Sequence, residues 1–111
     1  MKKFAYSLAI RADKVEDWLS FVDEVNNNRN KEFSEMHARI GVLKESWYLQ
    51  QKEENFEVVV YTEAEDENFM MNFKNDDSEF SNWFRESVAA CQPINLDSET
   101  TMPRLVLDWN E

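Results

Sequence analysis

Apolar residues in this chain recur with two different periods, and the order in which those periods alternate restricts the fold more than any other feature. At the start, Phe4, Tyr6, Leu8 and Ile10 fall on one side while Ala5, Ser7 and Ala9 fall on the other, the period of a strand. From Val15 the spacing changes to three and four. Val15, Trp18, Leu19, Val22, Val25, Phe33, Met36 and Ile40 form a single stripe, which predicts one long helix kinked near Asn27. Asp13, with Glu16 three residues on, is placed to cap it as a capping box.

Strand periodicity returns over residues 43–50 and 56–63, and the polar run 50–55 between them predicts a hairpin. A second helical region follows Asp66 with Phe69, Met70 and Phe73. Residues 75–78 (Asn, Asp, Asp, Ser) break it and supply a fresh N-cap. The next helix turns Phe80, Trp83, Phe84, Val88 and Cys91 inward and stops before Pro93. A fourth strand is predicted over 102–109, with Pro103 near its start. Strand, helix, strand, strand, helix, strand is the order of a ferredoxin-like α+β domain, an antiparallel βαββαβ sheet with helices on one face, spanning residues 1–111. Such a sheet leaves its other face uncovered. Here Ala5, Ser7, Ala9, Val59 and Tyr61 make that face half apolar, so a homodimer packed sheet against sheet is expected.

The formal charge of −11 disfavours nucleic acid, which is held by Lys and Arg, and disfavours an anionic membrane surface for the same reason. No stretch is apolar for long enough to span a bilayer. Arg11 and Asp13 interrupt the N-terminal apolar run, so it does not have the pattern of a signal peptide. Cys91 is the lone cysteine, which excludes an internal disulfide and suits a reducing cytoplasm, the expected location.

A single glycine, Gly41, excludes Gly-rich phosphate loops and nucleophile elbows. One His and one Cys far apart match no metal-ligand spacing, and the carboxylates of residues 63–67 fit a solvated helix start better than a calcium loop. No metal and no cofactor is therefore expected.

His37, the lone histidine, lies four residues before Gly41 and has two readings. Glycine after the last stripe residue closes a helix in the left-handed conformation, and His37 and Arg39 then sit in the last turn, where positive charge meets the negative end of the dipole. Alternatively, His37 is a catalytic acid/base at the mouth of a cavity, with Arg39 as an anion clamp and Glu45 or Glu63 orienting the imidazole. Trp47 and Tyr48 point to opposite sides of their strand. Tyr61 is the aromatic best placed for a pocket wall, and Arg85 is an outlying basic group. The candidate site is thus His37 as the catalytic group with Arg39, Glu45, Trp47, Tyr61 and Arg85 binding a small polar organic molecule; a non-enzymatic dimeric interaction or regulatory module is the alternative.

Residues 35–50, 58–66 and 76–86 with Asp108 and Trp109 resemble a family of small uncharacterised bacterial proteins, the likeness covering about residues 31–109. The resemblance implies the dimeric α+β barrel arrangement, distantly similar to rhamnose mutarotases, antibiotic-biosynthesis monooxygenases, haem-degrading enzymes and stress-responsive barrel proteins. In the mutarotase type the first helix carries a Tyr followed four residues later by a catalytic His. The corresponding places here hold Trp18 and Val22, so that proton shuttle does not carry over. No haem-ligand motif transfers to His37. Fold kinship alone implies no activity.

Overall fold

The computed structural model describes residues 1–93 and 102–111. Three strands, β1 (Lys2–Ile10), β2 (Val42–Lys52) and β3 (Asn55–Ala64), form an antiparallel sheet in the order β1-β3-β2. Four helices cover one face of it: α1 (Val15–Asn26), α2 (Asn30–Ile40), α3 (Phe69–Asn75) and α4 (Glu79–Cys91). β1 and β2 are parallel and flank β3, the split β-α-β arrangement expected of a ferredoxin-like fold.

Two helices replace the single kinked one. Asn27 leaves the helical region at φ −122°, ψ −88°, and its amide nitrogen donates to the Asp23 carbonyl and carboxylate at 3.0 and 2.9 Å. Asn28 reaches back to Glu24 in the same way at 2.9 Å. Side-chain amides that satisfy the preceding turn offer the backbone an alternative to the next helical bond, and the helix ends. At the other end of α1 the Asp13 capping box does not form. Residues Ala12–Lys14 make a 3-10 turn instead, and no side chain caps α1. Within α1 the buried residues are Trp18, Phe21 and Val25, while Leu19, which the spacing places on the stripe, is 46% exposed.

Other local expectations match the structure. Gly41 ends α2 at φ 86°, donating its N–H to the His37 carbonyl at 3.0 Å. Ser78 caps α4 by accepting from Ser81 N at 3.1 Å. The hairpin is longer and tighter than the sequence predicts. Glu53 takes the left-handed conformation in it at φ 58°, an unusual place for a side chain other than Gly or Asn.

The fourth segment departs from its predicted form. Residues 102–111 make no ladder in this protomer. Met102 packs on the core and Asp108 accepts from Lys3 Nζ at 3.0 Å, but Leu105, Val106, Leu107 and Trp109 are 55–81% exposed. Apolar side chains on both sides of an extended segment need two surfaces to bury them, and a single chain offers neither here.

The core lies between sheet and helices. Phe33 and Trp47, half-buried, pack with buried Phe84 at its edge, with Phe21 stacked on Trp47 at 6.0 Å and Trp18 tilted against it at 6.3 Å. Among the described residues no helix is long and apolar enough to cross a membrane.

Candidate functional site

A β-bulge brings the chemistry of β2 to the helix side. Val42 pairs with Ala64, Lys44 with Glu63 and Glu45 with Thr62, so Leu43 is an extra residue and the alternation shifts by one. Val42, Glu45 and Trp47 consequently all face the helices, whereas strict alternation from Val42 would have turned Glu45 and Trp47 outward.

Glu45 becomes the acceptor of a polar row crossing the covered face. Thr62, fully buried on the central strand, donates to Glu45 Oε1 at 3.1 Å, and Trp47 Nε1 donates to Oε2 at 3.0 Å. Tyr6, inward on β1 opposite Val60, lies on the same covered face. Burial, with the Glu45 charge adding to it, pushes its phenol far up, so it stays protonated. His37 completes the group from α2, its Nε2 lying 3.1 Å from Glu45 Oε2 and its Nδ1 2.8 Å from the Phe33 carbonyl oxygen.

That geometry dictates a proton count. A carbonyl only accepts, so Nδ1 carries a hydrogen. Nε2 and a carboxylate oxygen cannot face each other as two lone pairs, so one further proton lies between His37 and Glu45. The pair is shielded: the two side chains are 12% and 13% exposed. Among the described residues no buried side-chain nitrogen or oxygen lacks a partner.

Glu45 and Trp47 also wall a cleft of about 320 Å³, together with Ser46, Phe33 from α2 and Val22, Val25 and Asn26 from α1. Its lining mixes polar and apolar surface about equally, with Glu45 in the wall and the exposed Asn26 among the lining residues.

The structure brings together three of the six residues singled out in the sequence, His37, Glu45 and Trp47. Arg39 points to the α3–α4 junction, donating to the Asp76 carboxylate at 3.0 and 3.3 Å and to Ser78 Oγ at 3.0 Å. Its guanidinium, with the Ser81 and Ser78 hydroxyls, holds the Asp76 carboxyl below the usual range. Arg85 donates to the Phe73 and Asp76 carbonyls at 2.8 and 2.6 Å, closing the end of α3. Tyr61 lies on the opposite, uncovered face of the sheet and donates to Glu63 at 2.7 Å.

Thr62 and Tyr6 escaped the sequence reading, although a signal exists: each is the hydroxyl-bearing member of an otherwise apolar inward row. Cys91 is buried, and burial pushes its thiol up, as suits a packed residue rather than a nucleophile. Among the described residues no group of three or more His, Cys, Asp or Glu is placed to hold a metal ion.

No family model matches the chain, and no curated protein matches it. Among solved structures it is similar to tetracenomycin F2 cyclase of Streptomyces glaucescens, a type-II polyketide cyclase. The TM-score is 0.57 at 14% identity, over 100% of this chain and 99% of that one. The fold is ferredoxin-like α+β, of the dimeric α+β barrel type. At so low an identity the likeness speaks for the fold alone.

Proposed function

We propose that this protein works as a homodimer that binds a small organic molecule in the cleft between α1, α2 and β2 and moves a proton with the His37–Glu45 pair. The observation carrying this reading is Glu45, at the wall of a cleft and 3.1 Å from the Nε2 of a histidine whose other nitrogen is pinned. A pinned Nδ1 leaves Nε2 as the exchanging position, and Glu45 links it to the cleft. Trp47 forms the wall and orients the carboxylate. Tyr61 belongs to the space that a second protomer would enclose, and Arg39 and Arg85 support the site by fixing α3 and α4. The similarity to a polyketide cyclase supports small-molecule binding on this fold.

A fragment screen read at the Trp47 indole N–H tests it. Bound fragments should move that resonance, and His37→Gln, which keeps a donor toward Glu45 but cannot relay a proton, should retain binding while losing turnover. Fragments that bind only elsewhere would remove the reading.

The uncovered sheet face, with Tyr48 62% exposed, and the exposed segment Leu105–Trp109 favour a second reading, a non-enzymatic dimeric interaction or regulatory module. Sedimentation showing a dimer whose cleft takes no fragment would put that reading first.

A further inference from the structure

The sheet edge beside the cleft is unpaired, and we propose that residues 104–109 of a second protomer pair with it, adding a strand to β2 and walling the open side of the cleft. This rests on the homodimer of the proposed function and names what its two chains exchange.

The segment has the character of a strand that lacks a sheet. Leu105, Val106, Leu107 and Trp109 are exposed and join no ladder in their own chain. A run of apolar residues with a β-branched member fits a half-buried pleated surface. Its position turns it toward a partner. Asp108 accepts from Lys3 at 3.0 Å, and Lys3 belongs to the outward row of β1. The Tyr61 phenol, outward on the central strand, is raised first by its hydrogen bond to Glu63 and in small part by the Asp108 charge. Asp108 therefore lies on the side of the sheet that the helices leave open, where a second copy is expected.

The two outer edges of the sheet differ in what they offer such a strand. The far end of β1 is held by the end of α4: Arg11 N–H donates to the Cys91 carbonyl at 2.9 Å, and Gln92 Nε2 donates to the Ala9 carbonyl at 3.2 Å. Among the described residues no strand pairs with the outer edge of β2, and Leu43, Tyr48 and Leu49 are exposed along it. A long edge strand with exposed apolar side chains and no proline is a template for another chain. The cleft reaches this edge. Successive strand residues point to opposite faces, so a cleft touching Glu45, Ser46 and Trp47 extends around the side of β2 that β3 does not occupy. Charge permits the approach. Two chains of net charge −11 repel, yet the outward rows of the sheet carry Lys3, Lys44 and Lys52 against Glu57 and Glu63, and the segment carries Arg104 against Asp108. These near-neutral surfaces are where two acidic chains can meet.

Mixed dimers of isotope-labelled and unlabelled full-length protein test this by filtered nuclear Overhauser spectroscopy. The Leu105 and Leu107 methyls of one protomer should give cross-peaks to residues 43–49 of the other. Val106→Pro and Leu107→Pro, made separately, disturb no ladder of the single chain. Successive N–H groups of a strand point to opposite sides, so one of the two removes a ladder bond and should raise the dimer dissociation constant about tenfold. A dimer in which these methyls meet only their own β1, or nothing, would overturn the exchange and leave the homodimer standing. A monomer at millimolar concentration would remove both. A fragment that moves the Trp47 indole resonance should bind the weakened variant less tightly where that variant is monomeric, and equal binding would overturn the partner's share in the cleft. The cross-peaks need no ligand, so they separate failure of the exchange from failure of the cleft to bind a small molecule.

Discussion

The two faces of one sheet differ in what covers them. Toward the helices, β3 presents Val58, Val60, Thr62 and Ala64, all at most 4% exposed, beneath a packed aromatic layer. Away from the helices the same strand presents Glu57, Val59, Tyr61 and Glu63, flanked by Ala5, Ser7 and Ala9 on β1 and Ser46, Tyr48 and Gln50 on β2. The covered face tolerates polar groups only as a closed network, in which Thr62, Trp47 and His37 all meet Glu45. The open face carries polar groups in local pairs, as half-buried Tyr61 and Glu63 do. A polar group sealed from water must find protein partners, so chemistry on the covered face is geometrically specified and chemistry on the open face is not.

Substitutions that separate the two faces should differ greatly in effect. Trp18→Ala, which removes a 3% exposed ring beneath the helix layer, should cost about 3–5 kcal/mol in denaturant unfolding, enough to threaten folding outright. A loss below about 1 kcal/mol would mean that this layer is far less tightly packed than its ring contacts imply. Thr62→Val keeps the shape but removes the donor to Glu45 Oε1, leaving a shielded carboxylate oxygen short of a partner. It should cost about 1–3 kcal/mol, and a neutral result would break the contrast between the faces by showing that the polar row is dispensable. On the open face Tyr48→Ser should change unfolding free energy by less than about 0.5 kcal/mol at low protein concentration. Its effect should appear instead as a weaker dependence of Tm on protein concentration, because that face is proposed to meet a second protomer. A large loss at nanomolar concentration would show that the open face stabilises the single chain.

Legibility in the sequence followed the range of the interaction. The end of α2 at Gly41, the restart at Ser78 and the two faces of β1 and β3 were readable because each depends on residues within one turn or one pleat. The α1–α2 break was harder. Its apolar spacing stays in phase across the asparagines, and the decisive contacts are side-chain amides reaching back one turn to Asp23 and Glu24. For the candidate site, composition singled out His37 and proximity suggested Glu45, but Thr62 and Tyr6 stayed hidden among strand residues.

The sequence by itself determined the α+β class, the order of the first three strands and the helical regions around them, the helix end beside His37 and the apolar character of the covered face. Periodicity and turn chemistry carry that information locally. Tertiary structure alone decided that Leu43 bulges and turns Glu45 inward, that α2 sets His37 against it, and that Arg39 and Arg85 serve a helix junction. It also decided that residues 104–109 find no ladder in a single chain. Register and cross-strand pairing depend on residues far apart in sequence, and no local periodicity records which of them meet.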